Sequence, residues 1–194
     1  MQAHDTSTDE ELAQRAQGGS ARDFAVLVDR YTPAVYRLAR GITGSLQDAE
    51  DVVQETFLRA FRYIDDFSPA RAPFKTWLLT IARNQSINIF CSLKRRTLRF
   101  LNEDVIAERG GGALDCLLSG NERDCESLLA LKQECSLVES ALKLLPERQR
   151  TAVLLKAQED LSYEEIALVM KTSVSSVESL IFRGRKRLLG ILKD

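Results

Sequence analysis

Residues 161–188 read LSYEEIALVMKTSVSSVESLIFRGRKRL and predict two helices separated by a turn. Ser162 and Glu165 have the spacing of a capping box, which starts a helix at residue 163. A turn over residues 171–173 precedes a final helix that ends near residue 192. This is the spacing of a helix-turn-helix. The inner face of the final helix is predicted to hold Val174, Val177, Ile181, Gly184 and Leu188.

The opposite face of this final helix combines hydroxyl groups with positive charge. It carries or adjoins Ser175, Ser176, Ser179, Phe182, Arg183 and Lys186. Small hydroxyl side chains near a helix start can approach phosphates and base edges, and an arginine can donate two hydrogen bonds to a guanine. The pattern therefore predicts DNA binding. A helical hairpin with a solvated basic end is the alternative.

A second amphipathic helix is predicted from Ser45 in SLQDAEDVVQETFLRAFR, residues 45–62. Its apolar stripe steps by three and four residues and comprises Ala49, Val52, Val53, Thr56, Phe57, Ala60 and Phe61. The opposite face carries Asp51, Gln54, Glu55, Leu58, Arg59 and Arg62. Because Leu58 is an apolar residue on a charged face, the helix is a candidate partner surface, with a solvated face as the alternative.

A long helix is predicted over residues 74–100, after a loop over residues 65–73. It is apolar at first and ends in the basic run LKRRTLR, residues 93–99. A basic stripe with aromatic residues nearby suits a nucleic-acid strand whose bases are unstacked. A core position for Trp77 and Ile81 is the alternative, since both recur at helical spacing.

Two further helices are predicted at the N-terminus. Thr8 and Glu11 form a possible capping box for a helix that ends at Gly18-Gly19. The next helix is expected from about residue 21 to residue 40, broken or kinked at Pro33 and ended by Gly41 and Gly44.

The remaining pattern divides the chain into two small helical domains. Residues 101–124 lose helical periodicity and contain three consecutive glycines, which predicts a flexible linker. Helices are expected again over residues 125–145 and, with Pro146 at the first helical position, over residues 146–157. The fold class is therefore all-α, with one helical domain at residues 1–100 and a helix-turn-helix domain at residues 125–194.

Charge is balanced overall and uneven along the chain, with 27 Lys and Arg against 28 Asp and Glu. Residues 1–100 carry 14 basic and 12 acidic residues, residues 101–145 carry 4 and 9, and residues 146–194 carry 9 and 7. The excess of positive charge thus falls in the two parts where nucleic-acid binding is predicted.

Several classes of function are disfavoured by what the sequence lacks. No apolar run reaches the roughly 18 residues of a membrane span, and the acidic N-terminus is unlike a signal peptide, so a cytoplasmic protein is expected. Cys91, Cys116, Cys125 and Cys135 lack metal-site spacing and are expected to be reduced and half-buried. His4 is the only histidine. No nucleophile, metal or phosphate site emerges, so no catalytic residue and no cofactor is predicted.

Three segments occur in the order DAEDVVQETFLRAFR, FKTWLLTIARNQSINIF and LSYEEIALVMKTSVSSVESLIFRGRKRL. This succession resembles the extracytoplasmic-function (ECF) group of bacterial RNA polymerase sigma factors, over about residues 21–100 and 125–192. The resemblance implies a region 2 domain and a region 4 domain joined by a flexible linker that threads toward the RNA exit path. It also implies a non-catalytic protein that binds core RNA polymerase, directs it to a promoter for melting and initiation, and is controlled by an anti-sigma factor.

The resemblance further implies a role for individual residues. The β′ clamp helices are expected to contact Asp51, Gln54, Glu55, Leu58 and Arg62, and the β flap is expected to contact region 4. The −10 element is expected to contact Phe67, Arg71, Phe74, Lys75, Arg83, Asn84, Asn88, Arg95 and Arg96. The −35 element is expected to contact Ser175, Ser176, Glu178, Ser179, Phe182, Arg183 and Lys186. Extruding a base costs a few kcal/mol, which a preformed pocket and phosphate contacts can offset.

Four positions depart from the family pattern. Asn88 replaces a common Asp and keeps its size without its charge. Lys171 replaces a common Gly, so either a left-handed backbone costs about 1 kcal/mol there or the turn differs. Glu178 and Leu180 stand where relatives place Lys or Arg, which weakens phosphate binding. Glu178 either accepts a hydrogen bond from a cytosine or faces away from DNA.

Two other functions fit parts of the pattern. A dimeric helix-turn-helix regulator would use residues 146–194 and leave the N-terminal domain without a role. An interaction protein that sequesters polymerase would have no need of Arg183, Lys186 and Arg187.

Overall fold

The computed structural model describes residues 7–100 and 137–193, apart from the side chains of residues 93–100. Regular structure in these ranges is helical throughout, which confirms the all-α class. The N-terminal half comprises α1 (Asp9–Gln17), α2 (Ala21–Thr43), α3 (Leu46–Arg62), a 3-10 turn (Ile64–Asp66) and α4 (Phe74–Phe100). The C-terminal half comprises α5 (residues 137–143), α6 (Glu147–Glu159), α7 (Tyr163–Met170) and α8 (Val174–Ile191).

Some predictions concern residues outside the described ranges. These are the linker over residues 101–124, most of the helix predicted over residues 125–145, and the positions His4, Cys116, Cys125 and Cys135.

Helix starts follow the local sequence signals. Thr8 and Glu11 form the predicted capping box of α1, in which the Thr8 Oγ1 accepts from the Glu11 amide at 3.2 Å. The Ser45 Oγ accepts from the Asp48 amide at 3.3 Å and starts α3. Each cap satisfies an amide that has no partner within its own helix, so these starts were predictable from a few neighbouring residues.

Three predictions about helix boundaries were wrong. Helix α2 does not break at Pro33 and does not end near residue 40, since it continues through Gly41 to Thr43. Gly44 ends it, as predicted, and has a φ of 75°, the left-handed conformation that glycine favours. Pro146 is the N-cap of α6, since its ψ of 139° is extended and lies outside the helix. Helix α6 continues two residues beyond the predicted end, to Glu159.

The two halves share one hydrophobic core. Helix α2 packs against α3 and α4 within the N-terminal half, and it also packs against α6 of the C-terminal half. Gly41 allows this second contact, because a Cβ there would lie 2.5 Å from the Leu154 Cδ1. The absence of a side chain thus explains why a glycine occupies the interior of α2.

One predicted core residue of α3 is exposed. Phe61 has a solvent-accessible ring that contacts the Phe24 ring edge to face, with centroids 5.1 Å apart. Phe24 lies in the first turn of α2, so the end of α3 meets only the start of its neighbour and is covered on one side. The other members of the predicted stripe are buried or half-buried.

Candidate nucleic-acid and partner interfaces

The outer face of α8 is open to solvent, as predicted. Ser173 caps the helix by accepting from the Ser176 amide at 3.2 Å, and Ser176 is half-buried. Phe182 is 69% exposed. The other predicted −35 contacts are also exposed, namely Ser175, Glu178, Ser179, Arg183 and Lys186. Hydroxyl, aromatic and basic groups therefore share one accessible helix surface.

The inner face of α8 holds the helix in place. Val177, Ile181 and Gly184 are buried, as predicted. A Cβ at Gly184 would lie 2.7 Å from the Val153 Cγ2 of α6, so the two helices approach more closely than a side chain would allow. This contact fixes how far α8 stands out from the domain.

The turn before α8 contains a left-handed residue. Lys171 has φ 50° and ψ 55°, and the Thr172 amide donates to the Ala167 carbonyl at 3.0 Å. Of the two possibilities raised by the sequence, the strained backbone is the one observed. A lysine in this conformation costs about 1 kcal/mol relative to glycine.

Four basic residues of α8 lie on its solvent-exposed surface. Within the described ranges, Arg183, Arg185, Lys186 and Arg187 have no carboxylate at ion-pair distance. The Arg183 Nε donates to the Ser179 carbonyl at 3.1 Å, which lays this side chain along the helix. A helix surface with several uncompensated cations attracts a polyanion.

The charged face of α3 forms a separate surface. Leu58 is 63% exposed, and Asp51, Gln54 and Arg62 are exposed around it. Glu55 is half-buried and forms an ion pair with Arg59 one turn along the helix. The predicted residues thus lie together, with one exposed apolar side chain among residues of both charges.

The predicted −10 contacts divide into covered and accessible groups. Phe67 and Phe74 are buried, with ring centroids 5.4 Å apart, inside a cluster that includes Tyr31 and Trp77. The side chains of Arg71 and Asn88 are exposed, and that of Asn84 is half-buried. Arg95 and Arg96 belong to α4, and their side chains lie outside the described set.

The start of the loop before α4 is held by hydrogen bonds from α1. Gln17 of α1 donates through its Nε2 to the carbonyls of Ile64 and Phe67, both at 2.9 Å. Burial of Tyr31, together with the hydrogen bond that it donates to Asp9, raises its pKa above the usual value. Helix α1 thereby fixes the start of the loop that leads into α4.

Two of the predicted −10 contacts are paired with the C-terminal half. The Lys75 Nζ lies 2.8 Å from the Glu159 carbonyl oxygen and 3.2 Å from its Oε2. The Arg83 Nη2 lies 3.7 Å from the Glu147 Oε1. In this arrangement both cations already have an anionic neighbour from α6.

Several residues of this contact were not predicted from the sequence. Arg37 donates to Glu159, and Arg150 is 3% exposed with its guanidinium 5.0 Å above the Phe90 ring. Burial lowers the pKa of Arg150. Arg37 and Glu159 are 122 positions apart, so no local pattern could have paired them.

Other chemistry has little support in the described part of the chain. Residues 7–100 and 137–193 contain no group of three or more metal-ligating side chains. They also contain no helix long and apolar enough to cross a membrane. Cys91 is exposed, whereas the sequence predicted a half-buried thiol.

Comparison with known proteins identifies the family. The family description Sigma-70 region 2 matches residues 27–97, and Sigma-70, region 4 matches residues 136–188. The ECF RNA polymerase sigma-E factor of Haemophilus influenzae is 37% identical, over 92% of this chain and 92% of that protein. The sigma-E factor of Escherichia coli is 36% identical, over 92% and 91%. This chain therefore belongs to the ECF RNA polymerase sigma factors.

One solved structure is similar to this chain over both of its helical halves. CnrH, in complex with the cytosolic domain of CnrY, is 29% identical and has a TM-score of 0.68, with 96% of this chain and 98% of that chain covered. The likeness includes both halves, which we now call region 2 (residues 7–100) and region 4 (residues 137–193). The exact domain limits, residues 1–100 and 125–194, stay a prediction.

Proposed function

We propose that this chain is an alternative sigma factor that binds core RNA polymerase and directs it to a promoter, where DNA is melted and transcription starts. One observation carries the proposal: a single chain exposes a basic, hydroxyl-rich helix face on α8 and a separate mixed-charge face with Leu58 on α3. A sigma factor needs a surface for DNA and a surface for polymerase.

Helix α8 is proposed to enter the major groove at the −35 element. Its exposed hydroxyls lie near the helix start, where the backbone amides also favour phosphate. Arg183 and Lys186 then add base or phosphate contacts. Glu178 is exposed on the same helix, so its carboxylate is available to accept a hydrogen bond from a cytosine.

Helix α3 is proposed to contact the β′ clamp helices through Asp51, Gln54, Glu55, Leu58 and Arg62, and region 4 is proposed to contact the β flap. Leu58 can bury its side chain in a partner while the surrounding charges set orientation. The mixed charges of this helix face are thus assigned to a protein partner, and the basic residues of α4 and α8 to DNA.

Helix α4 and the preceding loop are proposed to hold the melted −10 strand. Arg71 and Asn88 are exposed and accessible for this role. Lys75 and Arg83 become accessible when region 4 separates from α4, because their ion-pair partners belong to region 4. Phe67 and Phe74 support the loop from inside through their aromatic contacts. A preformed pocket can offset the few kcal/mol that extruding a base costs.

An anti-sigma factor is proposed to control the chain. The structural relative CnrH was solved together with the cytosolic domain of CnrY, and the likeness includes both regions. The proposed function also implies a cytoplasmic protein without catalytic activity, because the polymerase performs the chemistry.

Run-off transcription tests the proposal. Purified chain and core RNA polymerase are incubated with a promoter library, and transcripts are mapped. We expect initiation from a subset of promoters that share −10 and −35 motifs. Failure to initiate from any member would overturn the proposal.

The helix-turn-helix regulator is separated from a sigma factor by a simpler measurement. A regulator shifts duplex DNA without polymerase, whereas this chain is expected to bind the same duplex tightly only after core enzyme is added. Tight, sequence-specific binding by the chain alone as a dimer favours the regulator.

A further inference from the structure

Helix α1 contacts both ends of the loop over residues 68–73, which we call the −10 loop. The helix packs against α2, the 3-10 turn and α4, and its buried residues are Leu12, Ala13 and Ala16. It lies before residue 27, where the match to Sigma-70 region 2 begins. The role of α1 therefore follows from its own contacts.

Gln17, the last residue of α1, holds the start of the −10 loop through one amide group. Its Nε2 donates to the carbonyl oxygens of Ile64 and Phe67, both at 2.9 Å. These two bonds use both hydrogens of the amide nitrogen. The Phe67 carbonyl is the last one before the −10 loop, so its direction determines where the loop leaves the domain.

The other end of the −10 loop is held through Tyr31. The Tyr31 hydroxyl donates to the carboxylate of Asp9 in the first turn of α1. Its ring centroid lies 5.6 Å from that of Phe74, which starts α4 and also contacts the Phe67 ring. Asp9 and Gln17 are separated by about 12 Å at the rise of an α-helix, so one rigid element holds both ends of the loop.

The residues between the two held ends face solvent. Pro69, Ala70, Arg71 and Pro73 are exposed, and the Arg71 amide donates to the Ser68 carbonyl at 3.0 Å. Each proline restricts φ to about −65°. A short loop with fixed ends and two restricted φ angles has few conformations, so it presents a preformed surface.

Selection of one base depends on how firmly such a surface is fixed. A mobile loop can rearrange around a wrong base and recover part of the lost contacts, whereas a fixed loop leaves polar groups unpaired. The two bonds donated by Gln17 thus affect the difference between right and wrong bases, although Gln17 itself is half-buried behind the loop.

We propose that Gln17 is a positioning residue for base selection at the −10 element, because it holds the −10 loop in the shape that accepts one base and rejects the others. The inference rests on the proposed function, since that function assigns the loop to the melted −10 strand. Asp9 and Tyr31 complete the same arrangement at the other end of the loop.

Two substitutions at Gln17 remove its donors in different ways. Gln17→Met keeps the length of the side chain and has no donor. Gln17→Glu keeps the shape and turns a carboxylate toward two carbonyl oxygens. Gln14→Met makes the first of these changes on the exposed face of the same helix and is the matched control.

Hydrogen–deuterium exchange of the free full chain, read by mass spectrometry, reports on the loop without polymerase. We expect both Gln17 variants to raise amide exchange over residues 64–74 by about threefold or more, as loss of one or two hydrogen bonds implies. Exchange in α8 should stay at the wild-type rate, and Gln14→Met should match the wild type throughout.

Base selection is measured with the assembled holoenzyme. Wild-type run-off transcription defines the −10 motif, and fluorescein-labelled single strands carry that motif or one base change in it. A wrong base typically weakens binding by at least about fivefold. At the position captured by the loop, both Gln17 variants should reduce this ratio by about threefold. Affinity for core polymerase should be unchanged.

The outcomes distinguish this inference from the proposed function. Unchanged exchange over residues 64–74 overturns the inference alone, and so does faster exchange with an unchanged base ratio, since a general structural defect weakens all strands alike. Should Gln17→Met lose its helical circular dichroism, Gln17→Glu decides the result. Absence of initiation by the wild type defeats the proposed function, and this inference falls with it.

Discussion

Helices α4 and α8 both carry basic residues proposed to contact promoter DNA, yet their surroundings are opposite. The cations of α8 have no carboxylate beside them in the described residues, whereas Lys75 and Arg83 of α4 have Glu159 and Glu147. The aromatic residues of the two helices also differ in exposure: Phe182 of α8 is 69% exposed, whereas Phe74 of α4 is 1% exposed. Residues of similar type therefore lie in different environments on the two helices, which only the three-dimensional structure distinguishes.

The aromatic pair provides the largest contrast. Phe74→Ala removes a buried ring and should lower the free energy of unfolding by about 3–5 kcal/mol, measured by urea denaturation. Phe182→Ala should change it by less than about 0.5 kcal/mol, because its ring is exposed. If the two variants lose similar stability, the contrast between the helices is wrong.

The surface of α3 that is proposed to bind polymerase should be separable from the two helices that are proposed to contact DNA. Leu58→Asp puts a charge on the proposed contact and should weaken binding to core RNA polymerase by about 2 kcal/mol, or roughly thirtyfold. Affinity is measured by fluorescence titration, and Gln47→Asp on the exposed start of α3 is a control. A loss of helical circular dichroism in Leu58→Asp would mean that this face is buried.

The outer face of α8 should act on DNA without supporting the fold. Arg183→Ala should cost at least about 1 kcal/mol in promoter binding by the assembled holoenzyme and leave the melting temperature unchanged. Lys193→Ala, at the exposed end of the chain, should have no comparable effect. Equal losses from both substitutions would indicate a general charge effect and no specific contact.

The smallest expected effect concerns the turn that leads into α8. Lys171→Gly relieves a left-handed backbone and should stabilise the protein by about 0.5–1 kcal/mol, seen as a rise in melting temperature. Lys171→Ala keeps the strain and should give no such rise. A destabilised Lys171→Gly would show that the lysine side chain contributes more than its backbone conformation costs.

What could be predicted from the sequence was mostly local. The caps at Thr8, Ser45 and Ser162 and the bounds of α7 depend on residues within one helical turn, and the structure confirms them. The outward face of α8 followed in the same way from periodicity. Family resemblance extended this local information to the order of the two regions.

The errors concern contacts between distant parts of the chain. A glycine near the end of an apolar pattern predicts a helix end, and this was the interpretation of Gly41. Its actual role is the close contact with Leu154, which lies more than a hundred positions away and could not be inferred from neighbouring residues. Phe61 fits the apolar period of α3 but meets only the start of α2. The pairing of Lys75 with Glu159 joins residues 84 positions apart, so the composition of α4 gave no sign that its cations were occupied.

The close approach of Gly184 to Val153 has a consequence for engineering. The buried inner face of α8 determines where the helix packs. The exposed side chains can therefore be randomised together while the helix keeps its position. A library at Ser175, Glu178, Ser179 and Arg183 would therefore vary the proposed −35 contacts while the position of α8 stays the same. Orthogonal transcription circuits could be built from such variants, provided that residue 184 is never diversified with them.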